Sequence, residues 1–335
     1  MKKLKVVQIG TAHAHAFGAL QTLLDLSDVF ELAAVGEPEP ERLNTLKADP
    51  KYAGIRFCTP EEALDIPGLD GAIIEVWEQD LTQYAQMAAD RGLHIQMDKP
   101  GGESTEAFRR LMETVKEKSL VFQPGYMYRF NPAVKKAVEI AESGVLGEIF
   151  SVEAQMSIDM GEAGRGLMSR YTGGMMYFLG CHLADVVYRI LGMPEKVLPM
   201  NCATHYPESL DYGMAVYQYK NGVSFIKTCA SEVNGFLRRQ IVITGTEGSV
   251  EIEPVELFVQ EDPRYLETSL RLSLKKDAWS PNFDCSTRMT FPRYKRYDEM
   301  FLHFARMVNG ETDPFYTPDR ELDVFRLVMK SCNMV

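Results

Sequence analysis

The sequence predicts a two-part chain of mixed class. Residues 1–125 read as an α/β domain with an open, doubly wound parallel sheet. Residues 126–335 read as an α+β domain with an open, predominantly antiparallel sheet and flanking helices. Three observations carry this reading. The length of 335 residues is a little more than twice that of an ordinary domain. Up to about Gly125, β-branched apolar runs alternate with runs of helical period, which requires parallel pairing through right-handed crossovers. Beyond that point two helices are followed by many alternating runs, with Asn221-Gly222 and Glu247-Gly248 as hairpin-type turns.

Each element follows from local pattern. LKVVQI (4–9) is a strand ending at Gly10, and Phe17, Leu20, Leu23 and Leu24 then repeat at helical spacing. ELAAVGE (31–37) is a second strand, closed by Pro38 and Pro40, and ERLNTLKAD a second helix. GAIIEV (71–76) is a strand, LTQYAQMAADRG a helix ending at Gly92, and LHIQM (93–97) a strand leading into Asp98, Lys99 and Pro100. Ser104 or Thr105 begins a helix whose Phe108, Leu111, Met112 and Val115 share one face, and SLVFQPG is the strand after it. In the second part, helices are expected over 132–143 and around 176–191. Strands are expected in LDYGMAVYQYK, NGVSFIKTCA, RRQIVITG and GSVEIEPVELFVQ, and helices over 294–309 and 319–332 are expected to pack beside that sheet.

Composition narrows the function classes. Hydrophobic residues at 45% and charged residues at 25% are ordinary for a globular chain and exclude a disordered or fibrous one. With 36 basic against 47 acidic residues the net charge is −11, a field that repels phosphate backbones and anionic lipid. Neither nucleic acid nor membrane is an expected partner, and no run of about eighteen apolar residues offers a span. The six cysteines contain no C-x-x-C, so reduced thiols and a cytoplasmic location are expected.

The chemistry-bearing candidates lie at the ends of strands. The turn GTAHAHAFG (10–18) has the first glycine of a dinucleotide fingerprint at Gly10, but Ala12 and His15 where the others would stand. Glu37 ends the second strand, where a carboxylate suits a ribose 2′-hydroxyl and repels the 2′-phosphate of NADP; a solvated turn carboxylate is the bland alternative. His13-x-His15 after a strand also begins many metal-dependent hydrolases, yet such a site needs further ligands at other strand ends. The remaining histidines are 94, 182, 205 and 303, of which only His94 falls in the parallel half, near the start of its strand. No metal is therefore expected; one imidazole lines a cofactor cleft and the other packs locally. Lys99 follows a strand directly, placed to hold a substrate hydroxyl or simply to end the strand at the surface. His182 and Asp185 stand three apart in an apolar helical segment, and such a pair is either satisfied in the core or used.

Taken together these motifs resemble the glucose-fructose oxidoreductase and inositol dehydrogenase family, Gfo/Idh/MocA. The resemblance runs nearly end to end. It covers the turn at Gly10, the acid at Glu37, GLHIQMDKP (92–100), RFNP (129–132), GVLGEI (144–149), and Gly173-Gly174 through His182 and Asp185 as the family's H-x-x-D. It implies an N-terminal Rossmann domain, NAD as cofactor, and a C-terminal sheet whose free face mediates homo-dimer or homo-tetramer assembly. It further implies hydride transfer between nicotinamide and a secondary alcohol of a sugar, polyol or related small molecule. Lys99 matches the lysine that orients the substrate, His182 the general base, and Asp185 a nearby site carboxylate. Gly10, Thr11, Ala12, His13, Glu37, Trp77, Asp98 and Lys99 are expected at the cofactor, and Tyr128, Arg129, Phe178 and His182 at the substrate.

The chain departs from the family pattern in three respects. Phe178 stands where relatives of inositol dehydrogenase have an aspartate, which favours a less hydrophilic substrate. Trp77, Glu78, Gln79 and Leu81 replace a threonine-proline-asparagine turn and its downstream histidine, and Trp77 is expected to stack on the cofactor. The phosphate turn is poor in glycine. The alternatives that stay open are a catalytically silent NAD-binding sensor and a redox-neutral glycoside-processing enzyme with retained NAD. The segment 156–171, with three glycines, Arg165 and Arg170, is a candidate flap.

Overall fold

The computed structural model describes residues 1–204, 208–277 and 283–335, so His205 lies outside it. By packing, the chain divides into two units, Met1–Tyr126 with Tyr297–Phe325 and Met127–Arg296 with Arg326–Val335.

The first unit alternates strands and helices: β1 (Leu4–Ile9), α1 (Ala16–Asp25), β2 (Phe30–Gly36), α2 (Pro40–Ala48), β3 (Phe57–Cys58), α3 (Pro60–Leu64), β4 (Gly71–Ile74), α4 (Leu81–Asp90), β5 (His94–Met97), α5 (Thr105–Glu117) and β6 (Phe122–Pro124). The sheet order is β3-β2-β1-β4-β5-β6, with every pair parallel. This is the doubly wound order in which strand direction of travel reverses between β1 and β4, and ligands bind outside the carboxyl ends at that switch point. All four residues of β4 are buried, as a strand covered on both faces requires. Helix α5 buries Phe108, Leu111, Met112 and Val115, the expected face, and the Ser104 hydroxyl accepts from the Ala107 amide as its cap.

Two elements here are absent from the sequence reading. β3 is two residues long, too short to show alternation. α3 is marked by a Thr59–Glu62 capping box that the sequence does display. The helix expected over 294–309 also differs: α9 (Asp298–Val308) belongs to the first unit. There the Phe301 ring meets Phe30 edge-on at 6.1 Å, and the Met300 carbonyl accepts from the Gln123 side chain at 2.9 Å. An amphipathic stripe says that a face is buried, not which sheet buries it. The last helix, α10 (Pro318–Ser331), gives its residues up to Phe325 to the first unit and the rest to the second.

The second unit contains α6 (Pro132–Glu142), β7 (Ile149–Ser157), α7 (Gly161–Leu167), α8 (Cys181–Leu191), β8 (Lys196–Cys202), β9 (Tyr212–Tyr219), β10 (Gly222–Cys229), β11 (Gln240–Gly245), β12 (Gly248–Ile252), β13 (Leu257–Phe258), β14 (Leu266–Glu267), β15 (Ser269–Leu274) and β16 (Thr287–Thr290). Its main sheet has the order β16-β15-β12-β11-β7-β10-β9-β8; β7 and β10 pair parallel and the other neighbours antiparallel. One face, including Ala154, Ala215, Tyr217, Ile226, Ile241, Ile243 and Val250, is fully buried, and α8 packs against β7 and β10. The candidate flap holds the short helix α7, none of whose residues is buried. Among the described residues no helix is long and apolar enough to cross a membrane.

Candidate functional site

In the first unit the candidate residues gather at the carboxyl ends of β1, β2, β4 and β5. Gly10 leaves β1 with φ +86°, and a Cβ there would stand 2.5 Å from Val76 Cγ1 and 2.7 Å from the Val76 backbone nitrogen. Only glycine takes that turn without strain. At the end of β2, Glu37 is buried, accepting the Thr11 hydroxyl at 2.6 Å and the Glu39 amide at 3.1 Å. These bonds fix a carboxylate beside the glycine turn, the placement that suits a nucleotide ribose. Where α1 begins, the His15 amide is already engaged, donating to His13 Nδ1 at 3.1 Å. The Trp77 indole donates to Glu39 at 2.7 Å, with the Arg42 guanidinium 5.5 Å from the ring centre.

Beneath this turn lies a buried polar cluster. Asp98 follows β5 directly; its Oδ1 accepts the Lys99 amide at 2.6 Å, and its Oδ2 lies 3.1 Å from His13 Nδ1 and 3.0 Å from His15 Nδ1. Glu75, just after β4, stands 3.8 Å from His13 Nδ1, and Glu78 3.4 Å from His13 Nε2. Lys99 is fully buried, and its peptide bond to Pro100 is cis. Burial raises the Glu75 carboxyl well above the ordinary range, and the charge of Asp98 raises it further. Burial pulls the same way on Asp98, but the His13 and His15 rings outweigh it and hold Asp98 well below its usual value. Glu75 therefore keeps its proton where Asp98 is ionised. Burial pushes His15 down to about 4, against the opposing pull of Asp98, so its ring is neutral at pH 7.

The second unit holds the other candidates. One turn of π-helix, Met176–Gly180, precedes α8 and carries Phe178, whose ring stacks on Tyr171 at 5.7 Å. Such turns are frequent at functional sites. His182, in the first turn of α8, is 1% exposed, and the Tyr128 ring meets it edge-on at 5.1 Å. Asp185, one turn on, is held by Arg129: Nε donates to both carboxylate oxygens at 3.0 Å and Nη2 to Oδ1 at 2.6 Å. The Tyr128 hydroxyl donates to Glu256 at 2.6 Å, and Arg239 and Arg296 donate to the same carboxylate at 3.3 and 2.7 Å. Burial, then the charge of Glu256, raises the Tyr128 phenol far above its ordinary value.

The structure thus brings Gly10, Thr11, His13, Glu37, Asp98 and Lys99 to one end of the parallel sheet, and Tyr128, Arg129, His182 and Asp185 into one buried cluster of the second unit. Sequence reasoning missed Glu75, Glu256, Arg239 and Arg296. A carboxylate closing the apolar run GAIIEV was the available signal for Glu75; nothing local marks the other three.

Comparison with known proteins places these features in a lineage. Residues 4–126 match the oxidoreductase family with an NAD-binding Rossmann fold, and residues 134–251 match the GFO/IDH/MocA C-terminal domain. The chain is 25% identical over 297 residues to scyllo-inositol 2-dehydrogenase (NAD(+)) of Bacillus subtilis, covering 86% of this chain and 81% of that one. It is 25% identical over 169 residues to D-xylose 1-dehydrogenase (NADP(+)) 2 of Haloferax volcanii, and there the match spans about half of each chain, 50% of this one and 51% of that one. In fold it is similar to an oxidoreductase from Thermotoga maritima, with a TM-score of 0.78 at 20% identity over 99% of this chain and 96% of that one. It is likewise similar to the WlbA dehydrogenase of Bordetella pertussis, solved with NADH and UDP-GlcNAcA, with a TM-score of 0.77 at 16% identity over 99% and 97% of the two chains. From the glycine turn of its parallel sheet to the eight-stranded sheet of its second unit, this chain belongs to the Gfo/Idh/MocA family of oxidoreductases.

Proposed function

We propose that the protein is an NAD-dependent dehydrogenase acting on a secondary alcohol of a sugar, polyol or related small molecule. The observation that carries the proposal is the buried Glu37 at the end of β2, fixed by Thr11 and the Glu39 amide beside the Gly10 turn, with Lys99 at the end of β5 in the same sheet. A carboxylate in that place accepts from a ribose 2′-hydroxyl and repels a 2′-phosphate, which favours NAD over NADP. A nicotinamide held beside these residues would supply the hydride acceptor. Lys99 donates a hydrogen bond to the substrate oxygen and steadies the charge that develops there. His182 takes the hydroxyl proton, so the alcohol leaves as a carbonyl compound with its hydride and proton both accounted for. Asp185, gripped by Arg129, is a positioning residue on α8. The substrate-facing roles of Tyr128 and Phe178 belong to the same proposal.

The test is reduced-nicotinamide absorbance with the full chain, NAD and a panel of sugars and polyols. Turnover on at least one is expected, and Lys99→Met should lower kcat by about 10²–10³. Phe178, an apolar ring in the place of a family aspartate, supports one second reading, a catalytically silent NAD sensor. NAD binding with no turnover across the panel would favour it and contradict the dehydrogenase.

A further inference from the structure

The polar cluster under the glycine turn has more donors than the proposed hydride chemistry uses. His13, His15 and Asp98 each offer one ligand atom, all within 4.8 Å of one another. The separations from Asp98 Oδ2 to the two imidazole nitrogens are 3.1 and 3.0 Å. Ligands at about 2.0–2.1 Å around a tetrahedral zinc ion stand about 3.3 Å apart, close to both separations from Asp98, and closing on one ion sets the two imidazole nitrogens, which lie within 4.8 Å of each other, at that spacing. The His13 side chain is wholly buried and Asp98 nearly so, whereas His15 is 14% exposed. His13 Nδ1 faces this group, while Nε2, on the opposite side of the ring, faces Glu78 at 3.4 Å.

We propose that His13, His15 and Asp98 bind a divalent transition-metal ion of the zinc type. Two imidazoles and one carboxylate form the mixed nitrogen and oxygen donor set such ions prefer over magnesium or calcium. Glu75, 3.8 Å from His13 Nδ1, is the nearest further carboxylate, and the exposed edge of His15 is the side from which a water or substrate oxygen completes the shell. Glu78, 3.4 Å from His13 Nε2, is the outer-shell carboxylate that orients a ligating imidazole. Binding displaces the His15 amide, which donates to His13 Nδ1 in the absence of an ion. The inference concerns the first unit alone and does not rest on the dehydrogenase reading.

The full chain, stripped of metal with a chelator and dialysed, is titrated with zinc chloride by calorimetry and with cobalt chloride by visible absorption. The expected result is one equivalent bound, with the visible bands of cobalt in a nitrogen and oxygen site of low coordination number. His15→Ala and Asp98→Asn should each abolish that signal, Glu78→Gln should weaken binding about 10–100-fold, and His94→Ala should leave it unchanged. His15 is at the rim, so its variant keeps the fold, and a thermal melt of each variant verifies this. No binding at millimolar metal, or binding that survives His15→Ala in a folded protein, overturns the proposal. Titration with NAD on the same samples reports separately on the cofactor.

Discussion

Arg129 and Asp185 share three hydrogen bonds with both groups out of water, so neither has solvent to fall back on if the other is lost. Removing one partner of a buried pair leaves an uncompensated charge, at a cost of about 3–5 kcal/mol, whereas replacing both with apolar residues is often neutral. Asp185→Asn is therefore expected to lower urea-unfolding stability by an amount of that order. An Arg129→Met/Asp185→Leu double variant should recover most of it. Asp185→Asn that abolished turnover at unchanged stability would instead make Asp185 a group acting directly on the reaction. At this scale the sequence displayed the residues but not their partners. H-x-x-D fixes His182 and Asp185 on one helix face, yet Arg129 lies 56 positions away and carries no local mark of the pairing. The same holds for His13 and His15, whose carboxylate neighbour Asp98 comes from a different strand; a search among histidines alone passes it by.

At the scale of elements, periodicity located nearly every strand and helix of the first unit because its strands are buried on both faces and its helices have one apolar stripe. What escaped was short, as with β3, or depended on a tertiary partner, as with α9. The start of β5 adds a pH dependence. His94, its first residue, accepts the Val121 amide through Nδ1 at 2.9 Å, and burial lowers its pKa below the ordinary 6.5, with Asp70 pulling the other way. A base whose folded pKa is depressed contributes its full stability above its unfolded value and loses it as pH falls toward the folded one. Thermal melts should therefore show His94 costing stability below about pH 6.5. His94→Asn, which keeps an acceptor for Val121 and cannot take a proton, should flatten that part of the profile. A profile unchanged by the substitution would mean that His94 titrates alike in both states.

For the whole molecule, the register of the eight-stranded sheet sorts its side chains. Opposite the buried face, Leu198 pairs with Val216 and Met200 with Met214 across β8 and β9, and Val216 and Met214 pair onward with Phe225 and Lys227 of β10. Leu198 and Met200 are 42% and 50% exposed. Toward β11, β12 and β15 the same face turns polar, with Glu153, Glu251 and Arg271. An apolar patch at one end of an open sheet supports the expected homo-oligomer, which we propose forms through this face. Light scattering behind size exclusion should report a dimer or tetramer, and Met200→Glu should shift it toward monomer; a wild-type monomer would contradict it. The alternation along these strands was readable from the sequence, whereas the parallel β7–β10 pair was not, because strand order depends on contacts far apart in the chain.

All of this converges on whether the glycine-poor turn still receives a dinucleotide. Calorimetric titration of NAD and NADP separately against the purified full chain answers it most directly. The account predicts saturable NAD binding, with NADP weaker by at least about tenfold because of Glu37, a difference of roughly 1.4 kcal/mol. Binding of neither nucleotide, or tighter binding of NADP, would contradict it.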